Sequence, residues 1–268
     1  MKPLKNMLFW PVLFISQTIA LALLCWHLLA QVHFAYPAGY QLLDLQSHIA
    51  EFAPLNRHKD DFELATKEDH WRLFGEISDA VQNHGEGLRD IRYRLANGET
   101  TAFMHEAEII HLQDVANVID IFYMTGAVCW LLWLITLAIA YWQRFSLPSP
   151  RKILLGFIGS LLVLSLIIIA IGPTSVFYWL HVQIFPDEHQ WFFYYQDSLM
   201  TTLMKAPDIF AFICVLLVLL LTLFWGASFW GMKTLLSKPE INAPPPAKNT
   251  RATNTKAAKK NAHPKPGQ

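Results

Sequence analysis

Apolar residues in this chain are gathered into four long runs, and that grouping shapes everything else. Met7–Ala30, Val115–Trp142, Ile153–Ile171 and Ile209–Met232 each hold about twenty residues with almost no charge, the length needed to cross a bilayer core of roughly 30 Å. They predict four membrane-spanning helices. The first run follows Lys2 and Lys5, as a secretory signal would. Trp26, His27 and Leu28 stand where a small-residue cleavage site belongs, so it reads as a retained helix.

Between the first two runs the pattern shortens. Tyr40–Phe52 predicts a helix ending before Pro54. Thr66-Lys-Glu-Asp69 has the form of a capping box with Asp in place of Glu. Trp71, Leu73, Phe74, Ile77 and Val81 then follow at helical spacing. Ile91, Tyr93 and Leu95 alternate with Arg92 and Arg94 as in a half-buried strand, Asn97-Gly98 marks a turn, and Thr100–Met104 returns as a second strand. From His105 the chain turns helical and runs without a break into the second span. The expected fold is an all-α membrane protein with four transmembrane helices and a small α+β extracytoplasmic domain. Residues 1–30 form the N-terminus and first span, 31–114 the outside domain, and 115–235 the other spans with an outer loop at 172–208. Residues 236–268 form a disordered basic cytoplasmic tail, since the Pro run at 244–246 and the Lys, Asn, Thr and Ala mixture after it cannot bury a core.

Composition agrees: 53% of the 268 residues are hydrophobic and 16% charged, against about a quarter charged in soluble domains. The net charge is zero and points to no nucleic-acid partner, but its distribution sets an orientation. Lys2, Lys5, Arg144, Arg151, Lys152, Lys233 and Lys238 flank the spans on one side, and the loop between the third and fourth spans carries only Lys205. By the positive-inside rule both termini are cytoplasmic, and 31–114 and 172–208 lie outside. Cys25, Cys129 and Cys214 all fall in apolar runs, so no disulfide is expected in the outside domain.

Two places concentrate candidate chemistry. On a helix from His105, the residues Glu108, His111 and Asp114 share one face. Beyond the third span comes Phe177-Tyr-Trp-Leu-His181, then Phe185-Pro186-Asp187 and the aromatic run Trp191–Tyr195. The topology sets His111 and His181 at one level, near the outer headgroups. Imidazoles exchange protons near neutral pH, and Asp114 or Glu108 is placed to fix the tautomer of His111. The plainer readings are surface histidines and an interfacial aromatic belt. Glu108-x-x-His111 is half of a di-iron motif whose other half is missing. His27 and His33, at the outer end of the first span, raise a haem or metal redox protein that would use His181 as a further ligand. A non-enzymatic protein binding a partner or lipid through its outside domain is the other alternative.

Glu108-Ile-Ile-His111-Leu-Gln-Asp114-Val115 leading into a span, followed by Phe177-x3-His181, Phe185-Pro186, Trp191-x-Phe193 and Ser198-Leu199, resembles the lipoprotein intramolecular transacylase family of bacterial integral membrane proteins. The resemblance covers roughly residues 5–235. It implies an acyltransferase of the bacterial cytoplasmic membrane, without cofactor or metal. Its partners would be membrane lipid and diacylated lipoproteins. The sn-2 acyl chain of the diacylglyceryl-cysteine would move to the same cysteine's α-amine, giving the lyso-form. His111 and His181 match the family's histidine pair, with Asp114, Glu108 and Trp191 as supporting residues. Leu112, Met104, Ala116 and Asp187-Glu188-His189 depart from the family pattern, and none of the departures removes a histidine.

Overall fold

The computed structural model describes residues 2–206 and 208–237, the side chains of residues 2–7 excepted. The chain divides into residues 1–236 and 237–268. The expected disordered tail lies, from residue 238 on, outside the described residues.

Helix α1 (Lys2–Ala30) leads through a 3₁₀ turn into two short helices, α2 (Tyr36–Leu42) and α3 (Leu45–Phe52). A single helix over 40–52 was expected. It breaks at Asp44, which takes a left-handed φ of 49° and caps the second piece by accepting from the Ser47 N–H at 3.4 Å. Helix α4 (Lys67–Gln82) starts at the anticipated capping box. The Thr66 hydroxyl accepts from the Asp69 N–H at 3.2 Å, and the Asp69 carboxylate accepts from the Thr66 N–H at 3.1 Å. Strands β1 (Arg92–Arg94) and β2 (Thr100–Ala102) pair antiparallel with Tyr93 opposite Thr101. Five residues, 95–99, join them, and Gly98 turns the chain at φ +87°, a conformation that glycine adopts freely.

Helix α5 (Glu106–Trp142) runs unbroken from this domain to the end of the second span. Next come α6 (Pro150–Ile171) and α7 (Pro173–Ile184), separated by Gly172 at φ +95° in front of Pro173. The segment between α6 and α9 thus holds a helix that runs on almost directly from α6. Short helix α8 (Leu199–Met204) and long helix α9 (Asp208–Leu236) complete the chain.

Among the described residues four helices are long and apolar enough to cross a membrane: Leu8–Ala30, α5, α6 and α9. Helix α1 packs chiefly on α5 and then on α9. The α1–α5 approach is so close that a Cβ on Gly126 would sit 2.3 Å from the Leu23 side chain. Trp225 of α9 donates to Thr18 at 3.1 Å and stacks on Phe157 of α6 at 4.0 Å. None of α6 is otherwise buried, as befits a helix apolar on all sides.

The α/β part has its own core. Tyr36 stacks on Phe74 at 4.0 Å and donates to the Leu203 carbonyl at 2.7 Å. Phe62, Tyr93 and Phe103 fill the space under the hairpin. Leu112, Ala116, Leu199 and Leu203 join the same core, so the start of α5 and all of α8 are built into this domain.

Candidate active site

His111 lies in the second turn of α5, where that helix is still wedged into the domain core, and is 7% exposed. His181 lies in the last turn of α7. Their ring centroids are 6.1 Å apart, so segments seventy residues apart in sequence meet at one point. Phe185 stands against both rings, at 4.8 Å from His111 and 5.1 Å from His181. Phe177 lies 4.0 Å from His181, Trp191 5.0 Å from it, and Phe193 6.2 Å from His111. Two members of the aromatic run, Trp191 and Phe193, thus wall the histidine pair.

The hydrogen bonds set the tautomer of one ring. Nδ1 of His181 lies 2.8 Å from the Phe177 carbonyl oxygen, one turn back on the same helix. A carbonyl only accepts, so Nδ1 carries the proton and Nε2 keeps a lone pair in the neutral ring. Burial pushes the His181 pKa below the ordinary histidine value, with the carbonyl bond opposing part of that effect. The ring is thus neutral at pH 7 and available as a base. Nδ1 of His111 is buried and has no hydrogen-bond partner among the described residues, a costly state for a polar atom.

The supporting residues are arranged otherwise than on His111. Glu108 is fully buried. Its Oε1 accepts from the Ser198 hydroxyl and its Oε2 accepts from the His105 N–H at 2.7 Å, with His105 Nε2 3.3 Å away. The same Ser198 oxygen accepts from the Thr201 N–H at 2.9 Å and caps α8. Glu108 therefore fastens the start of α5 to the start of α8. Asp114 points to His189, whose Nδ1 is 2.6 Å from Asp114 Oδ2. In the sequence His189 stands out only as part of a departure from the family pattern. A histidine in a turn carries no signal until the turn is seen folding back onto α5.

Two cavities bear on the candidate residues, one adjoining the histidine pair through Ile110 and Asp114 and one at the C-terminal end of α1. One, of about 500 Å³, is lined by Asp114, His189, Gln113 and the turn at Gly85–Asp90. The other, of about 520 Å³, is lined by His27, His33, Asp79, His84, Asp120 and Tyr123. There His27 bonds Tyr123 at 3.0 Å and His33 bonds Asp79 at 3.2 Å. His181 faces His111 instead, so the three histidines considered as haem ligands are not gathered around one point. Among the described residues no group of three or more His, Cys, Asp or Glu is arranged to hold a metal ion.

A family model described as lipoprotein intramolecular transacylase Lit matches residues 8–206. The chain belongs to that family. Among solved structures it is similar to the in meso structure of the membrane integral lipoprotein intramolecular transacylase Lit from Bacillus cereus, in a variant with one histidine-to-arginine substitution. The TM-score is 0.53 and the identity 14%, over 86% of this chain and 94% of that one. At that identity the likeness shows the fold. No curated protein matches the chain. Membership makes this a membrane protein of an acyltransferase family, and both histidines fall within the matched span.

Proposed function

We propose that the protein moves the sn-2 acyl chain of a diacylglyceryl-cysteine lipoprotein to the α-amine of the same cysteine, with His111 and His181 as the proton-transfer pair. The observation that carries this reading is the meeting of the two imidazoles, one with its tautomer set, inside a wall of aromatic rings. The amine nitrogen attacks the ester carbonyl carbon and the bond to the glycerol oxygen breaks. Nε2 of His181 takes a proton from nitrogen. That proton returns to the glycerol oxygen, directly or across the pair, so both rings end neutral and no acyl-enzyme forms. Nucleophile and ester sit on one molecule, and holding them together supplies much of the rate. The unpartnered Nδ1 of His111 is the group a polar atom of bound substrate would satisfy. Trp191, tilted against His181 with ring centroids 5.0 Å apart, keeps that ring in place.

The site belongs at the outer face of the bacterial cytoplasmic membrane, with both termini inside. The Lys and Arg distribution supports that orientation. Rings such as Tyr178, Trp179 and Tyr194, exposed around the site, suit the depth of ester and glycerol groups.

The test is mass spectrometry of a lipoprotein N-terminal peptide, co-expressed with this protein in a host lacking its own N-acylating enzymes. The expected peptide carries one acyl chain on the amine and one on the glycerol. It should disappear with His111→Ala and with His181→Ala. An unchanged diacylglyceryl peptide beside folded, inserted wild-type protein would overturn the reading.

A further inference from the structure

Resting on that reading, we infer that the cavity beside Asp114 receives the polypeptide end of the substrate, and that Asp114, held by His189, binds its α-ammonium. The placement comes first. Asp114 is three residues beyond His111 on α5, hence one turn away on the same side. Its partner His189 sits in the loop whose Phe185, Trp191 and Phe193 wall the imidazoles. The pair thus stands between the histidine site and the cavity of about 500 Å³, and both of its members line that cavity. That volume is typical of pockets for small ligands.

The chemistry of the lining is selective. The Asp114 side chain is 13% exposed and that of His189 is 40% exposed, so the carboxylate is shielded yet reachable. His189 occupies one of its oxygens, and a carboxylate has lone pairs for further donors. The cation at the rim, Arg89, is paired in a fork with Glu106, which offsets its repulsion of an incoming ammonium. Asp90 adds a negative charge to the same wall. Gln113 Nε2 donates to the His84 carbonyl and to Asn117 Oδ1, which leaves the Gln113 oxygen and the Asn117 nitrogen for a peptide backbone. The glycerol-linked acyl chains would lie on the other side, against the exposed apolar rings of α7.

An α-amine has an ordinary pKa near 8, so it arrives mostly as ammonium. One proton leaves it to solvent to give the nucleophile, and the second N–H proton follows the route to the glycerol oxygen. A carboxylate one turn from His111 holds the nitrogen in place until the first proton departs. His189 is then a positioning residue, because it acts through Asp114.

The test separates binding from turnover. The probes are dialkyl-ether analogues of the lipopeptide, which have no ester to transfer, one with a free α-amine and one N-acetylated. Binding is measured to the full-length protein in nanodiscs. Wild type should bind the free amine roughly 10-fold or more tightly, as a charge-assisted contact gives. Asp114→Asn should abolish that preference and leave affinity for the N-acetyl probe unchanged, which also certifies the fold. His189→Ala should lower the preference in the same way, and His189→Gln, which keeps a donor, should recover part of it. Extending the peptide past the cysteine should tighten binding in wild type and not in Asn117→Trp, which fills the cavity. A wild type without preference, or Asp114→Asn that retains it, overturns the inference. If the ester lipopeptide is still converted by the same wild-type preparation, the transacylase reading survives that loss. Preference without conversion leaves the ammonium site standing and removes the reading it rests on.

Discussion

Glu108 is the residue whose replacement best separates architecture from chemistry. Its motif position beside His111 suggests orientation of that ring, whereas its hydrogen bonds run to Ser198 and to the His105 N–H. Glu108→Ala would strip both donors of their partner in a place with no solvent. Leaving a buried donor without its partner costs about 1–3 kcal/mol, so the two together cost roughly 2–6 kcal/mol, less any relaxation. For a chain of this size that lowers the melting temperature by about 10 °C. Glu108→Gln keeps the shape and one acceptor, and should cost about half as much. Both are read by thermal unfolding in detergent, with acyl transfer measured well below the transition. The expected result is a large fall in stability, while the folded fraction keeps a near-wild-type rate and an unchanged pH–rate profile. If Glu108→Gln melted like wild type yet lost transfer, or shifted the pH profile, Glu108 would act on His111 and the fastening role would be refuted.

Two further outcomes bear on the scaffold. Gly126→Ala places a Cβ 2.3 Å from Leu23, so it should push α1 off α5 and cost roughly 1–3 kcal/mol, seen as a lower melting temperature that Leu23→Ala in the same chain partly restores. His70 is buried against Tyr40, whose hydroxyl is 3.0 Å from its Nδ1, and burial holds its pKa down to about 4. The unfolded chain, with an ordinary pKa near 6.5, binds more protons between those values, so stability is full above pH 6.5 and is lost as pH falls toward 4. The loss reaches roughly 3 kcal/mol, and a pH series of unfolding curves should lose that share of its slope in His70→Gln, while His48 and His111, also held down to about 4 by burial, keep theirs.

Much of this was legible in the sequence, for physical reasons that can be named. The four candidate spans declare themselves by length and composition, because crossing a bilayer core takes about twenty mostly apolar residues with few or no charges. The capping box at Thr66 and the turn at Gly98 are local devices that need no tertiary context. The break at Asp44 was missed because apolar residues on either side of it continue at helical spacing, and only a left-handed φ at Asp44 reveals the corner. The partners of Asp114 and Glu108 were missed for a different reason. Both are carboxylates next to His111 on a helix face, and local spacing assigns them to that neighbour. The actual partners, His189 and Ser198, arrive from 75 and 90 residues away. Spacing shows which side chains share a face and leaves open what the rest of the chain lays against that face.

The two halves of the histidine pair are held by unequal means, and this bears on how the site works. His111 is fixed from below, since Leu112, Ala116 and Glu108 around it are buried in the domain core. His181 rides on α7, which buries none of its residues and follows a span that is equally bare. What brings it to His111 is a set of rings, Phe185 between the imidazoles, Trp191 beside His181, and Phe177 against Phe210 of α9 at 5.8 Å. Such contacts contribute about 0.5–1.5 kcal/mol each, far less than a buried core element. In the proposed reaction a lipid-anchored substrate would enter from the bilayer, and one wall of the site would have to yield to it. The wall carrying His181 is the one whose attachment is weak enough to part and close again, while the wall carrying His111 keeps the register of the reaction.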